Sequence, residues 1–224
     1  MDVTFKDHDD RYLLVMFNTA KAIDAANVRF PKVLDIIEIN NIFKSVYLNG
    51  SPLGIRNIVV IELLFATGAR VSEIANIKIE DIDIKTGNII IKGKGNKERI
   101  IQICNPETLK ILNDYFIQFN QQIIESGGFL LINRLGNRLS DQSIRGIVKK
   151  ISIDAKVNKH ITPHVFRHTL ATLLLEKDVD IKYIQSILGH SSIMTTQIYT
   201  HVNGKKQREI LDLKHPRKDF TMSF

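Results

Sequence analysis

The segment 53–67 reads as a helix that is apolar on most of its faces, and it constrains the fold more than any other feature. Ile58, Val59, Ile61, Leu63, Leu64 and Phe65 leave it no broad polar side, so it is expected in the core. Asn49-Gly50-Ser51-Pro52 marks a turn before it. Gly68 suits its C-terminal cap, a position that favours a left-handed backbone. Two further helical patterns come earlier. Leu13, Leu14, Phe17, Ala20 and Ile23 lie at helical spacing over about 10–26, and Pro31 then punctuates the chain. Ile36, Ile39, Ile42 and Phe43 mark an amphipathic helix over about 35–46.

The period then changes. Asp83-Ile84-Lys85-Thr86-Gly87-Asn88 reads as a turn, Ile89-Ile90-Ile91 is β-branched, and Gly93-Lys94-Gly95-Asn96 is a second turn before Arg99-Ile100-Ile101-Gln102-Ile103. Strand, glycine-rich turn and strand make a hairpin signature. Beyond Pro106 the pattern is mainly helical, over about 107–126, 140–155, 163–176, 180–188 and 192–200. A short helix near Ile210 and a charged, proline-broken tail follow, and no internal repeat is present. The expected fold class is mainly α with a small antiparallel β-sheet. A chain of 224 residues with 44% hydrophobic content can bury a sizeable core.

Charge bounds the partners. Lys and Arg number 31 against 24 Asp and Glu, a net charge of +7. That balance favours polyanions, nucleic acid first and an anionic membrane surface second. Cys104 is the single cysteine, which rules out an internal disulfide and a cysteine-rich zinc site and suits a reducing compartment. No apolar run approaches the roughly 20 residues that span a bilayer, and the first residues carry no signal-peptide core. The expectation is a soluble, cytoplasmic protein.

Tyr199 closes the run Leu188-Gly189-His190-Ser191-Ser192-Ile193-Met194-Thr195-Thr196-Gln197-Ile198-Tyr199, and Pro163-His164-Val165-Phe166-Arg167-His168 lies upstream. A phenol, an arginine and imidazoles gathered in this way suit chemistry on a phosphodiester. No carboxylate cluster accompanies them, so a metal mechanism has little support. In the helix that opens at Thr162-Pro163, Thr162 can cap and Pro163 suits the first position. His164, Arg167 and Ala171 then share one face, with Phe166, Leu170, Leu173 and Leu174 on the buried face. A histidine and an arginine three residues apart at a helix start form a compact anion site. Taken singly, each residue has an ordinary reading. His164 and His190 suit exposed or structural positions, Arg70 a surface ion pair, Lys94 a solubilising charge and Tyr199 a half-buried core position.

Taken together and in order, five segments resemble the catalytic domain of tyrosine recombinases, the phage integrase family, in its Xer-like branch. They are Ala66-Thr67-Gly68-Ala69-Arg70-Val71-Ser72-Glu73-Ile74, Gly93-Lys94-Gly95-Asn96-Lys97-Glu98-Arg99, His164-Val165-Phe166-Arg167-His168, Leu188-Gly189-His190 and Thr195-Thr196-Gln197-Ile198-Tyr199. The terminal His215-Pro216-Arg217 also fits, and the likeness runs over roughly 31–217.

The resemblance implies a site-specific DNA recombinase or integrase, as of a mobile element, that works through a 3′-phosphotyrosyl intermediate with neither cofactor nor metal. Tyr199 is then the nucleophile, Arg70 and Arg167 hold the non-bridging oxygens, and Lys94 is the general acid. His164 assists proton transfer from the phenol, His190 donates a hydrogen bond to the phosphate, and Glu73 buttresses the site. The implied partners are double-stranded DNA and further copies of the chain, a tetramer on paired sites and a monomer in free solution, with no membrane. Residues 1–30 are then a helix and linker, the remnant of or lead-in to an absent core-binding domain. The catalytic domain is 31–204, and 205–224 form a tail whose Ile210, Leu211 and Leu213 suit docking on a neighbouring protomer or on its own domain.

The chemistry of the set is coherent. A phenol with a pKa of about 10 needs a base or nearby cations to attack at neutral pH. Fixed guanidinium groups stabilise charge that gathers on the equatorial oxygens, and an alkoxide leaving group needs a proton. Two other readings stand: a topoisomerase IB-like nicking-closing enzyme, and a catalytically silent DNA-binding regulator that kept the fold.

Overall fold

The computed structural model describes residues 33–51, 53–93, 95, 97–189 and 204–220. The helices expected over 10–26 and 192–200 lie outside the described residues. The chain order is α1 (Ile36–Tyr47), α2 (Gly54–Thr67), α3 (Val71–Ala75), a 3-10 turn (Ile79–Asp81), β1 (Ile82–Asp83), β2 (Asn88–Lys92) and β3 (Glu98–Gln102). Then come α4 (Pro106–Glu125), α5 (Asp141–Asp154), α6 (Pro163–Glu176), α7 (Ile181–Leu188), α8 (Gly204–Lys214) and a closing 3-10 turn (Pro216–Asp219).

The apolar second helix is the axis of the packing. Val59, Val60, Ile61, Leu63, Leu64 and Phe65 have no exposed surface, and α1, α4 and α6 all lie against it. α1 is started by a reciprocal cap. The Asp35 carboxylate accepts the Glu38 N–H at 2.8 Å, and the Glu38 carboxylate accepts the Asp35 N–H at 2.9 Å. α5 packs on α1 and α3, and α7 on α6 and β3.

The sheet is antiparallel in the order β1-β2-β3, with Ile89 opposite Ile101 and Ile91 opposite Arg99. The fold is therefore mainly helical with a small antiparallel sheet, as the sequence predicts. β1 and the five-residue α3 are additions to that expectation. Asp83 ends β1 by accepting the backbone N–H groups of Lys85 and Thr86 at 3.0 and 3.3 Å and the Thr86 hydroxyl at 2.7 Å.

One carboxylate sits inside the apolar helix. Glu62 has no exposed surface, and its carboxylate accepts the Tyr47 hydroxyl at 2.6 Å, the Thr108 hydroxyl at 2.7 Å and Arg217 Nη2 at 2.8 Å. Arg217 is equally buried, also donates to Glu107 at 3.0 Å, and lies 4.9 Å from the Phe43 ring centroid. Phe220 stacks on Phe43 with centroids 6.3 Å apart. Burial opposes the charge on Arg217, and the Glu62 carboxylate more than restores it. Burial, and then the Glu62 charge, push the Tyr47 phenol well up. Within this chain, residues 204–220 thus fold back on their own domain, with Leu211 buried and Gln207 Nε2 donating to the Ile100 carbonyl at 3.3 Å.

His215 completes this joint as a neutral ring. The Arg217 N–H donates to Nδ1 at 3.0 Å, so Nε2, 3.0 Å from the Ala66 carbonyl, carries the proton.

Arg217→Met alone leaves Glu62 as a buried charge without its guanidinium, and should cost about 3–5 kcal/mol in urea unfolding. Adding Glu62→Gln should recover much of that loss, and equal losses in the single and double variants would contradict this account. A second expectation concerns pH. Burial lowers the His215 pKa from 6.5 to about 4, so between those values the unfolded chain binds the proton and the folded chain does not. The associated stability, roughly 3 kcal/mol, is complete above the unfolded value and is lost as pH falls through the window. Thermal unfolding of His215→Gln should show a flatter pH dependence there than the parent protein.

Candidate active site

The turn between α2 and α3 gathers the described site residues. Thr67 locks its start: its hydroxyl donates to the Leu63 carbonyl at 2.7 Å and accepts the Ala69 N–H at 3.1 Å. Gly68 then takes the left-handed conformation, φ +58°. A Cβ on Gly68 would sit 2.6 Å from Leu188 Cδ2 and 2.9 Å from Leu170 Cδ2. Glycine is thus required here by both backbone and space. The Gly68 carbonyl accepts a hydrogen bond from Arg167 Nη1 at 2.7 Å. One side chain of α6 is thereby tied to the turn that leads, two residues on, to Arg70.

Arg167 is only 1% exposed. The sequence places it with Ala171 on a polar face and Leu173 on the buried one. Instead Ala171 is buried and Leu173 half-buried, because α6 is enclosed on nearly all sides by α2, α7 and the closing turn. Thr162 is extended at the N-cap but makes no side-chain capping bond, whereas Pro163 does occupy the first turn. His164 is half-buried, one helical turn before Arg167.

Glu73 organises the other side of the turn. Its carboxylate accepts the Arg70 N–H at 2.8 Å, a cap that fixes the start of α3, and approaches Arg70 Nη1 at 3.5 Å. Its principal counter-ion is Arg99 on β3, which donates from Nη1 at 3.1 Å and from Nη2 at 2.8 Å. Burial works against the charge on Glu73. The Arg99 bonds and charge, and then the Arg70 N–H, outweigh it and hold the carboxyl below the usual carboxylate range. Sequence reading assigned Arg99 no role. The strand register supplies the missing signal, since Arg99 lies opposite the buried Ile91 and so shares its inward face.

The structure therefore brings Arg70, Glu73 and Arg167 to one turn, with His164 close by on α6. Lys94, His190 and Tyr199 lie outside the described residues. The described neighbours of Lys94 and His190 reach the same cluster. A Cβ on Gly93 would be 3.3 Å from Glu73 Oε1, and one on Gly189 would be 2.7 Å from Arg99 Nη1.

Residues 32–206 match the model of the phage integrase family. A tyrosine recombinase of Agathobacter rectalis is 46% identical over 201 residues, which cover 86% of this chain and 65% of that protein. Tyrosine recombinase XerD of Staphylococcus haemolyticus is 37% identical over 191 residues, 84% of this chain and 64% of that protein. The chain thus spans slightly less than two thirds of either relative. Among solved structures, XerA recombinase is similar with a TM-score of 0.65 and 27% identity, over 97% of this chain and 78% of that one. XerH site-specific recombinase bound to difH substrate in a pre-cleavage complex gives a TM-score of 0.66 at 28% identity, over 84% of this chain and 55% of that one.

Gly68→Ala should test how tightly the turn is built. The left-handed backbone alone costs a non-glycine residue about 1–2 kcal/mol, and the leucine contacts add to that. Denaturant unfolding should show a loss of about 2 kcal/mol or more, and an unchanged midpoint would mean that the turn relaxes freely.

Proposed function

This chain belongs to the phage integrase family, and on that footing we propose that it cuts and rejoins double-stranded DNA at specific sites through a covalent tyrosine intermediate. The Tyr199 phenolic oxygen attacks phosphorus, the bond from phosphorus to the 5′-oxygen breaks, and a 3′-phosphotyrosyl link forms. Lys94 gives its proton to the departing 5′-oxygen, while His164 assists removal of the phenolic proton. Arg70 and Arg167 hold the non-bridging oxygens through their planar donor forks, and His190 donates a further hydrogen bond. A 5′-hydroxyl from a second duplex then attacks the intermediate, which reverses the first step and exchanges strands.

The observation that carries this reading is the buried Arg167 tied by 2.7 Å to the carbonyl of Gly68, at the turn that delivers Arg70. A cation fixed in this way needs little reorganisation when charge develops on a phosphate, which is the arrangement that electrostatic catalysis requires. The net charge of +7 supports a polyanionic partner. In this reading 31–204 are the catalytic domain, 1–30 lead in to a core-binding domain, and four copies assemble on paired sites in the cytoplasm. The segment 205–224 is the part exchanged between protomers, with Arg217 seated against a neighbour's Glu62 in the way that it meets its own here.

A duplex nicked near the cleavage point traps the covalent product, which denaturing gels resolve. The protein should form that adduct in excess EDTA, and Tyr199→Phe should abolish it while retaining DNA binding. Arg167→Ala should lose about 3–4 kcal/mol of transition-state stabilisation, the scale for removal of one oxyanion donor. A need for added divalent metal, or an adduct from Tyr199→Phe, would contradict the proposal.

A further inference from the structure

Among the described residues, the Arg99 guanidinium joins the start of α3 to the last turn of α7 and lies near the hairpin turn at Gly93. Nη1 and Nη2 clamp the Glu73 carboxylate at 3.1 and 2.8 Å, and Nε donates to the Ile187 carbonyl in the last turn of α7 at 2.9 Å. Gly189 caps α7 with φ +69°, and a Cβ there would be 2.7 Å from Nη1, 2.9 Å from Cζ and 3.0 Å from Cδ. The backbone that continues to His190 therefore lies directly on this guanidinium. On the other side, Gly93 lies against the clamped carboxylate and within 3.9 Å of Arg99 Nη1 from its virtual Cβ, and the next residue is Lys94. Glu73 in turn fixes the Arg70 N–H at 2.8 Å.

We propose that Arg99 is a positioning residue for strand cleavage: it sets, relative to one another, the backbone points from which Arg70, Lys94 and His190 depart. The inference rests on the functional reading above. Its physics is the rigidity of the fork. A guanidinium that makes a bidentate pair with a carboxylate and also donates to a carbonyl fixes direction as well as distance. A lysine ammonium in its place keeps the charge but cannot hold those partners in one plane. The Arg99 side chain is 14% exposed and turned towards Glu73, so it acts through the groups it holds. The reaction is sensitive to such placement, since an error of about 1 Å in a reacting group can cost on the order of 100-fold in rate.

The test is single-turnover cleavage of the nicked duplex at saturating DNA, at a temperature where circular dichroism shows each variant folded, with duplex affinity measured in parallel. Arg99→Lys should slow adduct formation by about 10- to 100-fold with duplex affinity unchanged. Glu73→Gln should be slowed as well, and Arg99→Lys combined with Glu73→Gln should be no slower than the slower single variant, because both changes break one unit. Several results would overturn the inference: a parental rate for Arg99→Lys, multiplicative losses in the double variant, or losses of rate and affinity in equal measure. No adduct from the parent protein would instead refute the functional reading itself, so the two failures are distinguishable.

Discussion

A guanidinium almost wholly withdrawn from water, bonded at 2.7 Å to a backbone carbonyl, is the constraint around which this molecule is arranged. Burying a charge costs several kcal/mol unless its environment compensates, so Arg167 can remain there only if its surroundings are rigid and correctly oriented. Gly68 must expose its carbonyl, which needs the left-handed turn. That turn needs an apolar α2 packed hard enough to end in one place. α6 must then be enclosed, with the consequence that its apparent polar face is interior. In a low-dielectric setting the same guanidinium would interact more strongly with an incoming anion than it would in water, so in the proposed function stability and chemistry would draw on the same burial.

Two of the buried carboxylates are handled by the same means. Glu62 is matched by Arg217 and Glu73 by Arg99, so neither is left as an unmatched buried charge. The two pairs differ in what they join. Glu62 and Arg217 fasten the C-terminal segment to the core, with Tyr47 and Thr108 filling the remaining lone pairs. Glu73 and Arg99 join the start of α3 to β3 and to the end of α7. The first pair secures a segment, whereas the second sets the relative positions of loops. This division is consistent with removal of either partner from a buried pair being costlier than removal of both.

Much of this was legible in the sequence where a strong local signal exists. Periodicity located α1, α2, α4, α5, α6 and α7 to within a residue or two, and Gly68 and Gly189 mark helix ends in the left-handed conformation as their positions imply. β1 and α3 were not legible because two and five residues are too short to establish a period. The face assignment on α6 failed for a tertiary reason, since helical spacing shows which residues share a side but not how many sides are covered. Among the described site residues, the ordered motifs singled out Arg70, Glu73, His164 and Arg167. Arg99 escaped because it closes a charged run, Lys97-Glu98-Arg99, and Glu62 because it is a lone carboxylate in an apolar stretch; their partners lie 26 and 155 residues away.

The central claim is that Arg167 acts on phosphate charge. The most direct measurement compares Arg167→Ala with the parent protein on two nicked duplexes, one with an ordinary scissile phosphate and one with a methylphosphonate that lacks charge at a non-bridging oxygen. The account predicts a severe cleavage defect on the phosphate and a much smaller one on the methylphosphonate, where the charge to be stabilised has been removed. An equal defect on both substrates would contradict it and reduce Arg167 to a structural support.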